Sequence, residues 1–175
     1  KAGLYHVQEE VALLPAMLLG VLPEHRVLDT CAAPGNKTAQ IAVMMQNRGT
    51  VVANDRSGGR MNAARTAFER LGLLNVCTTT HDAGIYPNAA GPFDRVLADV
   101  PCSCEGTSRK HPQVLARSGP ENAQRMHRLQ VRILRRAVAL CKPGGRIVYA
   151  TCTYAPEENE AVVDEILREQ PGLRL

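Results

Sequence analysis

The chain has 175 residues, 45% of them hydrophobic and 22% charged, enough for one domain that buries roughly 70% of its unfolded surface. An aromatic content of 3% with no Trp excludes a nucleic-acid platform built from several stacked rings. The net charge of +4 permits an anionic partner without requiring one.

In chain order, residues 8–20 read as an apolar helix interrupted near Pro15, part of an N-terminal segment (1–25) that packs on the core. Arg26–Cys31 is a short strand and Lys37–Gln46 a helix. Thr50–Asp55 is a second strand, followed by a helix over Arg60–Leu71 that Gly72 stops. Asn75–His81 and Arg95–Val100 are the third and fourth strands. A polar stretch from Cys102 to Pro120 then breaks the rhythm, and loops of that length are usually functional or mobile. Over Glu121–Cys141, Met126, Leu129, Ile133, Ala137 and Leu140 recur at helical spacing on one face. Lys142-Pro143-Gly144-Gly145 stops that helix and Arg146–Cys152 is a fifth strand. Pro156 opens a last helix, with Glu157, Glu158 and Glu160 near its positive end. Strands alternating with helices imply parallel crossovers, hence one α/β domain over 1–175 with a doubly wound, mostly parallel sheet.

Leu28-Asp29-Thr30 runs into Cys31-Ala32-Ala33-Pro34-Gly35-Asn36-Lys37-Thr38: a strand end, a small-residue turn and a helix start. Such a turn lets a ligand approach the backbone, and the helix offers free N–H groups. Asp55 closes the second strand, where a carboxylate accepts from both ribose hydroxyls of a nucleoside. The turn lacks G-x-G-x-x-G, and Cys31 and Asn36 stand where a Walker loop needs glycines. Without a phosphate cradle, the nucleoside cofactor that fits is S-adenosyl-L-methionine, which carries no phosphate. Asp82, after the third strand, suits the adenine amino group. One strand-end carboxylate alone reads as a solvated loop residue; Asp55, Asp82 and Asp99 together read as a site.

Six cysteines in a chain with ordinary apolar patterning do not make a disulfide scaffold. With no secretory leader and no apolar run of about eighteen residues, a reducing cytoplasmic setting and no membrane partner are expected. Cys102-Ser103-Cys104 has no second pair at zinc-ligand spacing, so no metal is expected. Cys77 and Cys141 read as packing residues, and Cys31 as touching a ligand through its backbone. Cys102 and Cys152 follow the fourth and fifth strands, and their positions alone leave packing and catalysis both open. A thiolate there suits one chemistry: addition to carbon 6 of a cytosine makes carbon 5 nucleophilic toward a sulfonium methyl group. Asp99 is then placed to protonate or hydrogen-bond ring nitrogen 3, an acid role that requires burial beside the base.

The strings CAAPGNKT, ANDR, DVPCSCEG, KPGG and ATCTYAPEENEAVV, in this order, resemble the Sun/Fmu (NOL/NOP/Sun) family of RNA cytosine-5 methyltransferases over nearly the whole chain. The resemblance implies the Rossmann-like sheet of S-adenosylmethionine-dependent methyltransferases, here without the family's last two strands. It implies that Cys152, in the TC motif, attacks the base and that Cys102, in the PC motif, assists release of the product. Spacing alone does not say which thiol attacks. The resemblance also assigns the cofactor to Cys31, Ala32, Ala33, Pro34, Gly35, Asn36 and Lys37 with Asp55, Asp82 and Asp99. Asn36 replaces the usual Gly or Ser, a change a negative φ tolerates, and Cys104 stands where Gly is usual.

The implied substrate is RNA, ribosomal before transfer RNA, with its cytosine single-stranded or flipped, and the protein is expected to act as a monomer. Arg109 and Lys110 in the long loop are placed to meet phosphates. Arg125, Arg128, Arg132 and Arg136 on the following helix fit either phosphate contact or a solvated face. The competing readings are a methyltransferase for DNA or a small molecule, and a catalytically silent RNA-binding scaffold.

Overall fold

Five runs rich in β-branched residues pair in parallel. They are β1 (Arg26–Asp29), β2 (Thr50–Asn54), β3 (Val76–Thr79), β4 (Phe93–Asp99) and β5 (Cys141–Ala150), in the spatial order β3-β2-β1-β4-β5. The computed structural model describes residues 3–117 and 119–175. The order reverses between β1 and β4, and at such a point an open parallel sheet offers a crevice at the strands' carboxyl ends.

Alternation along the strands divides the core into two layers. Val27, Val51 and Leu97 face α1 (Leu14–Leu18) and α2 (Asn36–Met44) through Ala16, Leu19, Ile41 and Met45. On the same side, Met61, Ala64 and Phe68 of α3 (Gly58–Arg70) pack against Ala32 and Ala53. Leu28, Val52 and Val96 face the other way, toward α4 (Pro120–Leu140) and α5 (Glu160–Glu169), where Leu134, Ala137, Val162 and Ile166 close the core. The expected stripe on α4 is where it should be: Met126, Ile133, Ala137 and Leu140 are buried and Leu129 half-buried. This is the doubly wound α/β architecture anticipated from the sequence.

Three expectations need correction. The helix expected over 8–20 is a 3-10 turn at Glu10–Leu13 followed by the short α1. Pro15, lacking an N–H, sits in the first turn of α1, and Gly20 ends it at φ +60°. Only Ala16 and Leu19 of this segment are fully buried, while Val11, Met17 and Leu18 stay exposed. β5 begins at Cys141 rather than Arg146, because the chain leaves α4 directly into extended backbone and pairs Phe93 with Cys141 before an irregularity restores register. Cys77 is exposed, not packed, because β3 lies at the sheet's edge. Cys141 does pack, half-buried against the α4–α5 layer. Along the outer side of β5 runs a groove of about 800 Å³ lined by Val138, Cys141, Ile147, Tyr149 and Leu167, which Cys102 and Cys152 do not line. No helix among the described residues is long and apolar enough to cross a membrane.

Gly35 joins the core to the cofactor turn. Its φ of +102° favours glycine, and a Cβ there would lie 2.7 Å from Phe68 Cε1 and 3.2 Å from Ala64 Cβ. Gly35→Ala therefore combines backbone strain with overpacking and should lower stability by at least about 2 kcal/mol in chemical denaturation. An unchanged denaturation midpoint would show that the Phe68 ring moves aside freely.

Candidate active site

The β4–β5 ladder brings the two strand-end cysteines together. Asp99 pairs with Ala150, and Val100 N–H continues the ladder onto Ala150 O at 3.0 Å. Beyond that point Cys102 Sγ lies 3.3 Å from Cys152 Sγ. Cys152 N–H also donates to Cys102 Sγ at 3.3 Å, while Cys104 Sγ lies 3.8 Å away. Cys102 is half-buried and Cys152 exposed.

The two sulfurs share one proton, and the donors decide where the charge rests. The Cys152 thiol donates to Cys102, with backbone N–H groups adding to it, and the Cys102 pKa falls to about 6 despite burial. Cys152, as the donor beside a thiolate, is pushed well above the usual thiol range. Cys102 is thus the more acidic of the two sulfurs and Cys152 the one that donates to it. Cys31 differs: burial raises its thiol to about 12, so it is no nucleophile.

A buried carboxylate holds the two thiol loops in place. Glu158, fully buried, accepts Ser103 N–H at 3.0 Å and Gln130 Nε2 at 2.8 Å through Oε2. Gln130 also donates to Pro101 O at 2.9 Å, and the Tyr149 hydroxyl to Glu158 O at 2.6 Å. Ser103 and Thr153 hydroxyls meet at 2.7 Å, and Gly106 N–H reaches Cys152 O at 2.9 Å. The sequence suggested that Glu158 served the helix dipole in solvent. In the fold it spans α4, the loop after β4 and the turn after β5, a role that only tertiary contact reveals.

The expected cofactor residues line one edge of the sheet. Ala32 and Ala33 are buried, and the start of α2 has no side-chain cap. Asp55, one residue beyond β2, accepts Ala33 N–H at 3.2 Å and Ser57 N–H at 2.8 Å, with Arg60 at 3.5 Å. Asp82 lies three residues beyond β3, not at its end, and holds Gly84 N–H at 2.8 Å and Arg132 at 2.9 Å. Asp99 ends β4 and pairs with Lys37 at 2.7 Å. Its side chain is 30% exposed. Asn36 opens α2 with helical backbone and holds the N-terminal segment down: His6 Nε2 lies 2.9 Å from its Oδ1, and Gln8 Nε2 donates to its carbonyl at 3.1 Å. Carboxylates along one strand edge fit the hydroxyl, amino and ammonium donors of S-adenosylmethionine, and the free N–H groups of the uncapped helix start, reached over a turn of Ala and Gly, fit its carboxylate.

Of the four helix arginines for which phosphate contact and a solvated face were both open, two are engaged within the fold: Arg132 with Asp82, and Arg136 with Tyr86 O. Arg125 bonds Asn122 on its own helix, Lys110 pairs with Glu9, and Arg109 and Arg128 are exposed.

A model of the family described as "16S rRNA methyltransferase RsmB/F" matches residues 16–175. The chain belongs to the RsmB/F family. It is 39% identical over 173 residues to a 28S rRNA (cytosine-C(5))-methyltransferase of Mus musculus, covering 97% of this chain and 22% of that protein. It is 42% identical over 166 residues to ribosomal RNA small subunit methyltransferase F of Escherichia coli (strain SMS-3-5 / SECEC), covering 92% and 34%. A multisite-specific tRNA:(cytosine-C(5))-methyltransferase of Saccharomyces cerevisiae is 41% identical over 177 residues, covering 92% and 26%. The chain thus spans between 22% and 34% of the length of these relatives. The crystal structure of NSun6 from Pyrococcus horikoshii with SFG, an S-adenosylmethionine analogue, superposes at a TM-score of 0.89 with 30% identity, covering 96% of this chain and 43% of that one.

One buried acidic residue beside the candidate site escaped the sequence reading. Asp29, at the end of β1, is 1% exposed; its Oδ2 accepts the Thr38 hydroxyl at 2.7 Å, and Oδ1 finds no partner among the described residues. Its place two residues before Cys31 was the only signal. Burial raises its pKa from 3.8 to about 7, so the folded protein holds a proton there that the unfolded chain releases above pH 4. Stability from this group is complete below the unfolded value and is lost as pH climbs through 7, a swing on the order of 4 kcal/mol. Asp29→Asn should flatten the fall in Tm between pH 5 and 8; a variant as pH-sensitive as the parent would show that Asp29 is not responsible.

Proposed function

We propose that the protein is an S-adenosylmethionine-dependent RNA cytosine-5 methyltransferase, acting on ribosomal RNA in preference to transfer RNA. The observation that carries this reading is the thiol pair at 3.3 Å beside the Asp99 end of β4. A thiol in contact with a group that can take and return its proton suits reversible covalent addition to a pyrimidine. The RsmB/F family's own description names 16S rRNA, which supports the order of substrates.

Cys152 is the exposed thiol and meets a flipped cytosine first. As its Sγ bonds carbon 6, its proton passes to the Cys102 thiolate, and the electron pair of the 5,6 double bond moves toward ring nitrogen 3. Asp99 holds the amino edge of the base, and the neighbouring Lys37 ammonium offsets charge growing at nitrogen 3. S-adenosylmethionine, when bound against Cys31–Lys37, Asp55, Asp82 and Asp99, supplies an electrophilic methyl group that carbon 5 takes. Carbon 5 then loses its proton to water as the Sγ–carbon 6 bond breaks, and Cys102 returns its proton to the departing Cys152 sulfur. The pair ends as it began, a Cys102 thiolate and a Cys152 thiol. Arg109 and Arg128, both exposed, are available to phosphates.

Cys152→Ala should reduce methyl transfer by at least about 10³-fold while leaving S-adenosylmethionine binding by calorimetry unchanged; full activity would overturn the assignment of the nucleophile. Cys102→Ala removes the acid that the leaving sulfur needs, whereas Cys152, freed from the neighbour that raises its thiol, can lose its proton to solvent and still attack; the variant should accumulate a covalent RNA–protein adduct, seen as a shifted band on a denaturing gel with substrate RNA and cofactor. Turnover without adduct in that variant would refute a release role for Cys102.

A further inference from the structure

The reaction proposed above uses Cys102 and Cys152 and leaves Cys104 without a task. Yet the Cys104 sulfur is aimed at the same point. It lies 3.8 Å from Cys102 Sγ, which lies 3.3 Å from Cys152 Sγ, and all three sulfurs fall within 4.8 Å of one another. Cys104 is held there by its backbone, which adopts φ +63°, ψ 25° at the start of the 3-10 turn Glu105–Thr107. Its thiol also approaches Cys102 O at 3.3 Å. The linear spacing of the cysteines does not foretell the cluster, because the third sulfur arrives from fifty residues away.

We propose that Cys102, Cys104 and Cys152 form a three-thiolate site for a soft divalent cation, zinc foremost, with a water molecule as the fourth ligand. A tetrahedral ion with metal–sulfur bonds of about 2.3 Å sets its sulfurs about 3.8 Å apart, close to the spacings here, so little rearrangement is needed. No His, Asp or Glu among the described residues joins the cluster. An all-sulfur donor set selects zinc-like ions and rejects magnesium and calcium, which take oxygen ligands. The exposure of Cys152 leaves one side open for the water. On binding, any of the three sulfurs still protonated gives its proton to solvent, three metal–sulfur bonds form, and nothing is oxidised or reduced. Resting on the reading of Cys102 and Cys152 as the reactive pair, the consequence is inhibition: the bound ion occupies the Cys152 sulfur that must bond the base and the Cys102 sulfur that must take its proton.

The test uses purified protein kept reduced with a phosphine and titrated with zinc against a chromophoric chelator. Wild type is compared with Cys104→Gly and Cys104→Ser; glycine suits the left-handed backbone and serine keeps the volume. Wild type should retain one equivalent of zinc, and both variants should hold it at least about tenfold more weakly. Cobalt in place of zinc should give wild type a thiolate charge-transfer band that both variants lack or show much weakened. Equal retention by wild type and variants, or no retention by wild type, would overturn the site. In a second arm, one equivalent of zinc should suppress RNA methylation by wild type more than by Cys104→Gly, each compared with its own zinc-free rate; equal suppression would overturn the inhibitory consequence. The first arm needs neither RNA nor cofactor, so the two ideas fail separately. Zinc held by a protein that never transfers methyl groups sinks the catalytic reading alone, and methylation by a protein indifferent to zinc sinks the metal site alone.

Discussion

The site depends on the register of β4 against β5. With Asp99 opposite Ala150, the cysteine three residues past one strand and the cysteine two residues past the other arrive at the same height above the sheet. A slip of one residue would carry either thiol about 3.3 Å along the strand and turn the alternation of buried and exposed side chains inside out. That slip is prevented by Val96 and Leu97 on β4, both fully buried and facing opposite layers. The geometry of the thiols is therefore held by apolar packing several residues below them, and substitutions in that packing act on the thiols without touching them.

Two buried carboxylates work above this frame at different cost. Glu158 receives a backbone N–H and an amide, and so converts its burial into a link between the loops that carry Cys102 and Cys152. Asp29 has only the Thr38 hydroxyl, on Oδ2, and like Glu158 with its Oε1 it leaves the second oxygen without a partner among the described residues; burial raises its pKa to about 7. The strand-end carboxylates are managed differently again, each beside a cation: Asp55 with Arg60, Asp82 with Arg132 and Asp99 with Lys37. These part-exposed pairs add little to stability. Their effect is to hold acceptor oxygens in place along the edge where the cofactor is proposed to lie.

Much of this was legible in the sequence. The alternation of strand and helix signals carried the doubly wound sheet, and small residues with strand-end carboxylates marked the cofactor edge. What stayed hidden depended on tertiary contact. Glu158 looked like an exposed first-turn residue because nothing local records that Ser103 and Gln130 converge on it. Arg132 and Arg136 shared a face with Arg125 and Arg128, and only the fold turns the first two onto Asp82 and Tyr86 O. Cys77 read as core because its neighbours are β-branched, and it is exposed because β3 has a partner on one side alone. The left-handed backbone at Cys104 supplies the physical reason why glycine suits that position.

That last feature also has an evolutionary side. Cysteine and glycine codons differ at their first base alone, so a single nucleotide change adds or removes the Cys104 sulfur. The backbone already has the conformation that glycine prefers, so losing the sulfur relieves a residue held in the left-handed region, while gaining it asks the loop to bear that cost. The thiol is thus easier to shed than to acquire within the existing architecture.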